Sequence, residues 1–432
     1  MRSTTCVPIA LLLGSVLLQP AATAATWTCR GVPATMLPDS STSVMVGTEG
    51  NDVIVTHGAD VHALGGDDLV CSVGPWPVLI DAGAGNDVID VGSGRAGRAV
   101  LGPGADQYIG SGFYPNTVIA GTDTSPSVDN ETDVIDNLPG DAPDTVVSGQ
   151  RDTPNSDQVR MTSAGTLIWR GTPTVDSALD GGHDSALDLE LDMSGPAVLN
   201  NVVGKLKLQP FPTLYFKGFT RFTVVAHPGS GPFDFRGSDL DEALDLTTWP
   251  GLVHRLDLGG GNDLLRVVAD SALPRGTSYD AGPGARDRIN LTMPHQADVD
   301  LDMGRGRLST GAGREEVTVP ARLFEDAHVA ARDVEIVGTS GPNALDSVAC
   351  RTTVHGRGAA DQITYDATGT ASEELTCQER SARFAGGPGA DTLNGSPGKD
   401  TLIGGPGRDS ADGDRGRDVC QAEKTEDCEV RR

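Results

Sequence analysis

Between Gly386 and Gln421 apolar side chains recur singly rather than in runs. Leu393, Leu402, Ala411 and Cys420 stand nine apart, and each follows an aspartate by two residues: Asp391, Asp400, Asp409 and Asp418. A strand alternates with period two and a helix with period 3.6, so a period of nine fits neither element alone. It predicts a minimal strand such as Thr392-Leu393-Asn394, with one inward side chain, joined to the next by a tight turn. The turns begin at Gly386, Gly395, Gly404 and Gly413, and each unit reads G-x-x-G-x-D-x-apolar-x, with alanine in the apolar place once. Glycine permits positive φ there, so backbone carbonyls can line the inside of the turn. Two units complete one flat coil, and the next coil stacks ~4.8 Å above it.

Aspartates two units apart then lie one above the other, Asp391 with Asp409 and Asp400 with Asp418. Stacked carboxylates repel at that spacing. A Ca²⁺ ion between successive turns would turn the repulsion into oxygen contacts, drawn from the carboxylates and from the carbonyls of Gly387, Gly389, Gly398, Gly405, Gly407 and Gly416. Mg²⁺ suits the place poorly, because it holds its waters and demands near-octahedral geometry. A disordered Gly/Asp linker would have no reason to keep an apolar residue in phase with every aspartate.

These units resemble the hemolysin-type, or RTX, calcium-binding nonapeptide repeats, which fold as a parallel β-roll. "GGPGADTLN" matches that pattern at each informative place. Similar units around Asp52, Asp60 and Asp68, and further copies around Asp87, Asp106 and Asp263, extend the resemblance over most of the chain, and it implies Ca²⁺ ligation at those aspartates too. Some copies depart from the pattern. Asp52, Asp60 and Asp68 are eight apart, an extra residue precedes Asp287 and Asp361, and Asn343 stands where a carboxylate is expected. His62 falls in an apolar slot of a short unit and reads as a rim histidine. Relatives with a toxin role usually carry an uncleaved C-terminal export signal and lack cysteines, so that association does not transfer.

From about 130 to 250 the repeats decay, yet short β-branched runs persist between Gly, Pro, Asp and Asn, as in "DTVVSG", "GTLIWRG" and "FTRFTVVA". "DSALDGGHDSALDLELD" is the nearest approach to a helical pattern, but its GG break and LDLELD alternation predict strand. The expectation is an all-β chain, one parallel β-solenoid (β-roll or β-helix) with a narrow aliphatic interior, its central coils roughly 18 to 25 residues long. Its divisions are a signal peptide over 1–24, an N-terminal solenoid with RTX-like repeats over 25–130, a degenerate central solenoid over 131–250, scattered units over 251–385, regular repeats over 386–421 and a tail over 422–432.

Composition sharpens this picture. The 432 residues include 56 glycines, only 4% are aromatic, and the net charge is −27. Such a charge repels nucleic acid and anionic membrane and attracts cations. Arg2, the apolar run after it and Ala22-Thr23-Ala24 read as a cleavable export signal, too short for a membrane span, so a secreted, extracellular protein is expected. Removing it leaves six cysteines, an even number for an oxidising compartment, with proximity favouring Cys29–Cys71, Cys350–Cys377 and Cys420–Cys428. The chain has no HExxH helix, GxSxG elbow or EF-hand loop, so a calcium-binding repeat protein is expected and not an enzyme. Two rivals stand beside it: a calcium-dependent polysaccharide-active β-helix enzyme using one of Arg170, Arg221, Arg236 or Arg255, and an adhesin whose partner is an extracellular polysaccharide or a cell surface.

Overall fold

The structure, a computed structural model, describes residues 27–38, 43–122, 129–140, 142–151, 153–162, 164–190, 195–293, 297–311, 313–366 and 375–431. The expected signal at 1–24 lies outside these. Among the described residues the fold is all-β, with one 3-10 turn at Gly313–Glu315 and no helix long and apolar enough to cross a membrane.

Strands next-but-one in the chain pair in parallel, which sorts them into two ladders. The first begins Val53–Thr56, Leu69–Ser72, Val88–Asp90 and Gln107–Gly110. The second begins Val44–Val46, Asp60–His62, Val78–Asp81 and Ala96–Val100, and it stays parallel as far as Lys424–Glu426. One strand from each ladder makes a rung. In the regular C-terminal repeats the register advances by two nonapeptides per rung, Leu393 facing Ala411 and Leu402 facing Cys420.

The first ladder is interrupted twice. Lys205–Leu208 pairs antiparallel with both Ala197–Asn200 and Thr213–Val225, and Arg307–Gly311 does the same between Asp298–Asp302 and Val317–Arg322. The segment expected to be strand rather than helix is one long strand, Ala178–Glu190, that serves both ladders. Its glycine pair makes the corner, where Gly182 and Asp184 take φ of 74° and 58°.

Side chains alternate inward and outward, and the inward ones form one continuous cluster from Met45 to Cys420. Leu393, Leu402 and Cys420 are wholly enclosed. Each large apolar side chain so buried contributes roughly 1.5–3 kcal/mol, against glycine-rich turns that lose more backbone entropy than any others. The interior is not aliphatic throughout, contrary to expectation. Beside the first antiparallel insertion Phe216, Phe219, Phe222 and Phe235 pack edge-to-face at 5.5–6.2 Å, with Trp169 and Phe233 also enclosed. Single aromatic residues are enclosed elsewhere too, among them Tyr108, Tyr279, Phe324 and Phe384, but the ring-on-ring cluster sits beside the insertion.

Disulfides join Cys29 to Cys71, Cys350 to Cys377 and Cys420 to Cys428. The first ties the N-terminal ribbon of Thr28–Cys29 and Val32–Pro33 to the first ladder. The last anchors the C-terminal segment to the final rung.

Candidate metal sites

Each aspartate of the regular repeats immediately precedes a strand, two residues before the inward side chain, so its carboxylate turns back beneath the glycine turn. A Cβ on Gly386, Gly404 or Gly413 would fall on the carboxylate of Asp391, Asp409 or Asp418. The first glycine of the unit therefore clears space for the acid, a role the sequence reading had not assigned. Gly387 and Gly405 take φ of 108° and 112°. The carbonyl oxygens of Gly387 and Gly389 point at the backbone of Gly405 and Gly407 in the next rung, close enough that no Cβ would fit there.

The carboxylates are stacked, but they do not simply face one another. The N–H of Asp361 donates to Asp391 Oδ1 at 2.8 Å, that of Asp391 to Asp409 Oδ1 at 2.9 Å, and that of Asp409 to Glu423 Oε2 at 2.8 Å. On the other side Ala382 donates to Asp400 Oδ1 at 2.6 Å, Asp400 to Asp418 Oδ1 at 2.8 Å, and Asp418 to Glu429 Oε2 at 2.6 Å. One oxygen of each carboxylate thus caps the backbone of the rung before it. The second oxygen of Asp391, Asp409 and Asp418 is buried with no hydrogen-bond partner. Asp400 differs, because Ser396 replaces a glycine and its N–H and hydroxyl both bond that carboxylate.

The same device runs along the N-terminal rungs. Asp52 donates to Asp68, Asp68 to Asp87, Asp87 to Asp106, Asp106 to Asp133 and Asp133 to Asp157, at 2.7–3.0 Å. Further on, Glu242 donates to Asp263, Asp263 to Asp287 and Asp287 to Glu325. The N-terminal column precedes the first ladder, whereas the column from Glu242 to Glu423 precedes the second. Asp133, Asp157, Glu242, Glu325, Glu423 and Glu429 escaped the sequence reading, since their turns lack the glycine spacing. The signal that remains, at Asp133, Asp157, Glu242 and Glu325, is an acid two residues before a buried apolar residue. Asn343 holds its place by donating its amide to Glu325 O at 2.6 Å and Thr339 Oγ1 at 2.9 Å.

Asp60 does not join a column. Val61 is the inward residue there, so Ala59 occupies the buried position and Asp60 lies in the strand, half-buried, accepting from Leu79 N–H at 2.8 Å. His62 consequently points outward, 3.5 Å from Asp81, and not into an apolar slot.

Burial raises the carboxyls of the columns, with the N–H bond opposing and neighbouring carboxylates assisting. Asp87 is pushed up to about 7, Asp106 to about 8, Asp263 and Asp361 to about 7, and Asp400 to about 6. Asp391 and Asp418 are raised for the same reason. An anionic oxygen buried without a donor is costly unless a cation or a proton meets it. Among the described residues no three acidic, histidine or cysteine side chains converge on one point. A cation here must therefore take most of its oxygens from backbone carbonyls, which is what the glycine turns offer.

A family model described as the RTX calcium-binding nonapeptide repeat matches four copies, in residues 78–95 and 385–420. The chain carries RTX calcium-binding repeats. RTX nonapeptide repeats bind Ca²⁺, a hard cation suited to carboxylate and carbonyl oxygen. The match includes Asp87, Asp391, Asp400, Asp409 and Asp418. The units of 47–71 lie outside the matched residues, although Asp52 and Asp68 continue the column of Asp87. No curated protein matches the chain.

Proposed function

We propose that this is a secreted calcium-binding protein whose RTX turns hold Ca²⁺ between successive rungs, and that the ion folds and stabilises one β-solenoid running through most of the chain. The observation that carries it is the buried, partnerless Oδ2 atom of Asp391, Asp409 and Asp418, repeated at Asp68, Asp87, Asp106, Asp263, Asp287 and Asp361. Asp391, Asp400, Asp409 and Asp418, with the carbonyls of Gly387, Gly389, Gly398, Gly405, Gly407 and Gly416, are the proposed C-terminal ligands, and Asp52, Asp68, Asp87, Asp106 and Asp263 belong to the upstream sites. The ion supplies positive charge to oxygens that the backbone satisfies only by half. The residues supply a preformed spacing set by the strands.

Three disulfides and the leader pattern at 1–24 support an extracellular setting. The continuous inner cluster supports one unit, in which 25–130, 131–250, 251–385, 386–421 and 422–432 are stretches differing in repeat quality. Of the arginines weighed for the enzyme reading, Arg170 is paired with Glu190 at 3.0 Å and Arg255 with Asp234 at 2.7 Å, which favours structural roles for both.

The deciding experiment is a thermal melt of the full chain in millimolar Ca²⁺, in Mg²⁺ and in chelator, with direct calcium counting by calorimetry. Calcium is expected to raise the melting temperature and Mg²⁺ to leave it near the chelator value. Identical melts in all three would end this reading.

A further inference from the structure

The two corners of the N-terminal rungs are chemically opposite. One corner is the acidic column, "GTEGND", "ALGGDD", "AGAGND" and "LGPGAD". The other is formed by 72–78, 91–97 and 110–116, which contain no aspartate or glutamate. On a chain of net charge −27 this is a local exception.

These turns also carry a stripe of rings and cations. In the second ladder Val61 faces Ile80, Ile80 faces Ala99 and Ala99 faces Val118. The turns before them carry His57, Trp76, Arg95 and Tyr114, one to a rung, with Trp76 set one place off Arg95 by a bulge between Val78 and Leu79. Trp76 is 63% exposed, and Phe113, next to Tyr114, is 81% exposed. The Arg95 guanidinium lies 5.7 Å from the Tyr114 ring, and its Nε is buried without a hydrogen-bond partner. Large aromatic faces left in water beside a cation, in three turns that contain no carboxylate, fit a partner that is both ring-shaped and anionic.

We propose that this corner binds an acidic polysaccharide, a chain of uronic-acid units lying along the stack of rungs. Trp76 and Phe113 offer flat faces to the C–H surfaces of sugar rings. Arg95, with His57 at the end of the stripe, offers donors to sugar carboxylates. The turns repeat at the strand spacing of ~4.8 Å, so a polymer lying along the stack meets one of these side chains at each rung. The acidic columns repel the same polymer, which confines it to this corner.

The test is calorimetric titration of the full chain, folded in calcium as checked by circular dichroism, with a uronic-acid hexasaccharide too short to gel. A neutral hexasaccharide of the same linkage is the control. Expected are binding of the acidic oligomer that weakens with added salt, and a loss of about tenfold or more in Trp76→Ala and in Phe113→Ala. Tyr215→Ala, on the outer face of a distant rung, should bind as the parent does. Both test side chains are exposed, so folding should survive their removal. The proposal is overturned by absence of binding to calcium-folded protein, by equal binding of the neutral oligomer, or by unchanged affinity in both variants. It is equally overturned if Trp76→Ala abolishes self-association in sedimentation while sugar binding is absent. Calcium-dependent folding is read separately by dichroism, so either conclusion can fail alone.

Discussion

The backbone N–H of Asp391 donates to Oδ1 of Asp409, 2.9 Å away in the next rung. One aspartate therefore has two separable jobs: capping its neighbour's backbone with one oxygen, and presenting the other, unpartnered, to a cation. Asp409→Asn should keep the cap and lose the charge, so calcium stabilisation of the C-terminal repeats falls while stability in chelator is nearly unchanged. Asp409→Ala should lose both and cost about 1–3 kcal/mol even in chelator, because the Asp391 N–H is left buried and unsatisfied. Urea unfolding of both variants with and without calcium checks this. Equal losses in chelator would refute the division.

Asn343 marks a rung that supplies its own donors, through its amide bonds to Glu325 O and Thr339 Oγ1. Asn343→Asp removes those donors and adds a charge to the column. It should destabilise the protein in chelator and be rescued by calcium, with one additional ion bound per chain by calorimetry.

Protons and calcium should compete for the columns. Asp87 and Asp106, raised to about 7 and 8 against an unfolded value near 3.8, bind more protons folded than unfolded. Their contribution in chelator is therefore fully present below pH 3.8 and is lost as pH rises through 7 and 8. Calcium should oppose that loss, and its binding near pH 7 should release protons, seen as a buffer-dependent heat. A heat independent of buffer would contradict it.

His254 works in the opposite sense. It is fully enclosed, its Nε2 lies 2.7 Å from Tyr279 Oη, and burial lowers it to about 4. The unfolded imidazole binds a proton near 6.5, so stability is complete above pH 6.5 and declines as pH falls from 6.5 to 4. His254→Gln should flatten this acid limb, compared with the parent in saturating calcium.

The Cys420–Cys428 bridge ties the segment that leads into the last short strand, Val430–Arg431, to the strand before it, where Cys420 fills the inward slot beneath Leu402. A terminal rung has a neighbour on one side only. In Cys428→Ser the segment after 413 should become protease-sensitive in calcium while the rest of the chain stays resistant. Unchanged digestion would deny the bridge this role.

How far the sequence revealed these features depends on how many local constraints coincide. Where glycine, aspartate and an inward leucine recur together, as around Asp391 and Leu393, turn, strand and phase could all be read, and the strand pairing follows the same step. At Asp60 the glycine cue suggested the ligand slot, but burial of Val61 set the register and moved the aspartate out by one place. Asp133 and Glu242 were invisible because strand pairing across many residues, not local turn chemistry, brings them into their columns. The phenylalanine cluster was missed for a related reason. Nothing local announces the antiparallel Lys205–Leu208 strand beside which the rings gather, so an average aromatic content was taken for a uniform one.

The bonds along each carboxylate column all point one way, N–H of the earlier rung to carboxylate of the later one. A stack built so has unlike ends, as a filament does. A rung joining at the C-terminal end arrives with the acceptor that the exposed end lacks, whereas one joining at the N-terminal end brings a donor whose acceptor is already in place. Glu423 and Glu429 keep the same direction to the last two short strands, Lys424–Glu426 and Val430–Arg431, which they immediately precede while accepting from Asp409 and Asp418. A stack with unlike ends can continue its columns only head to tail.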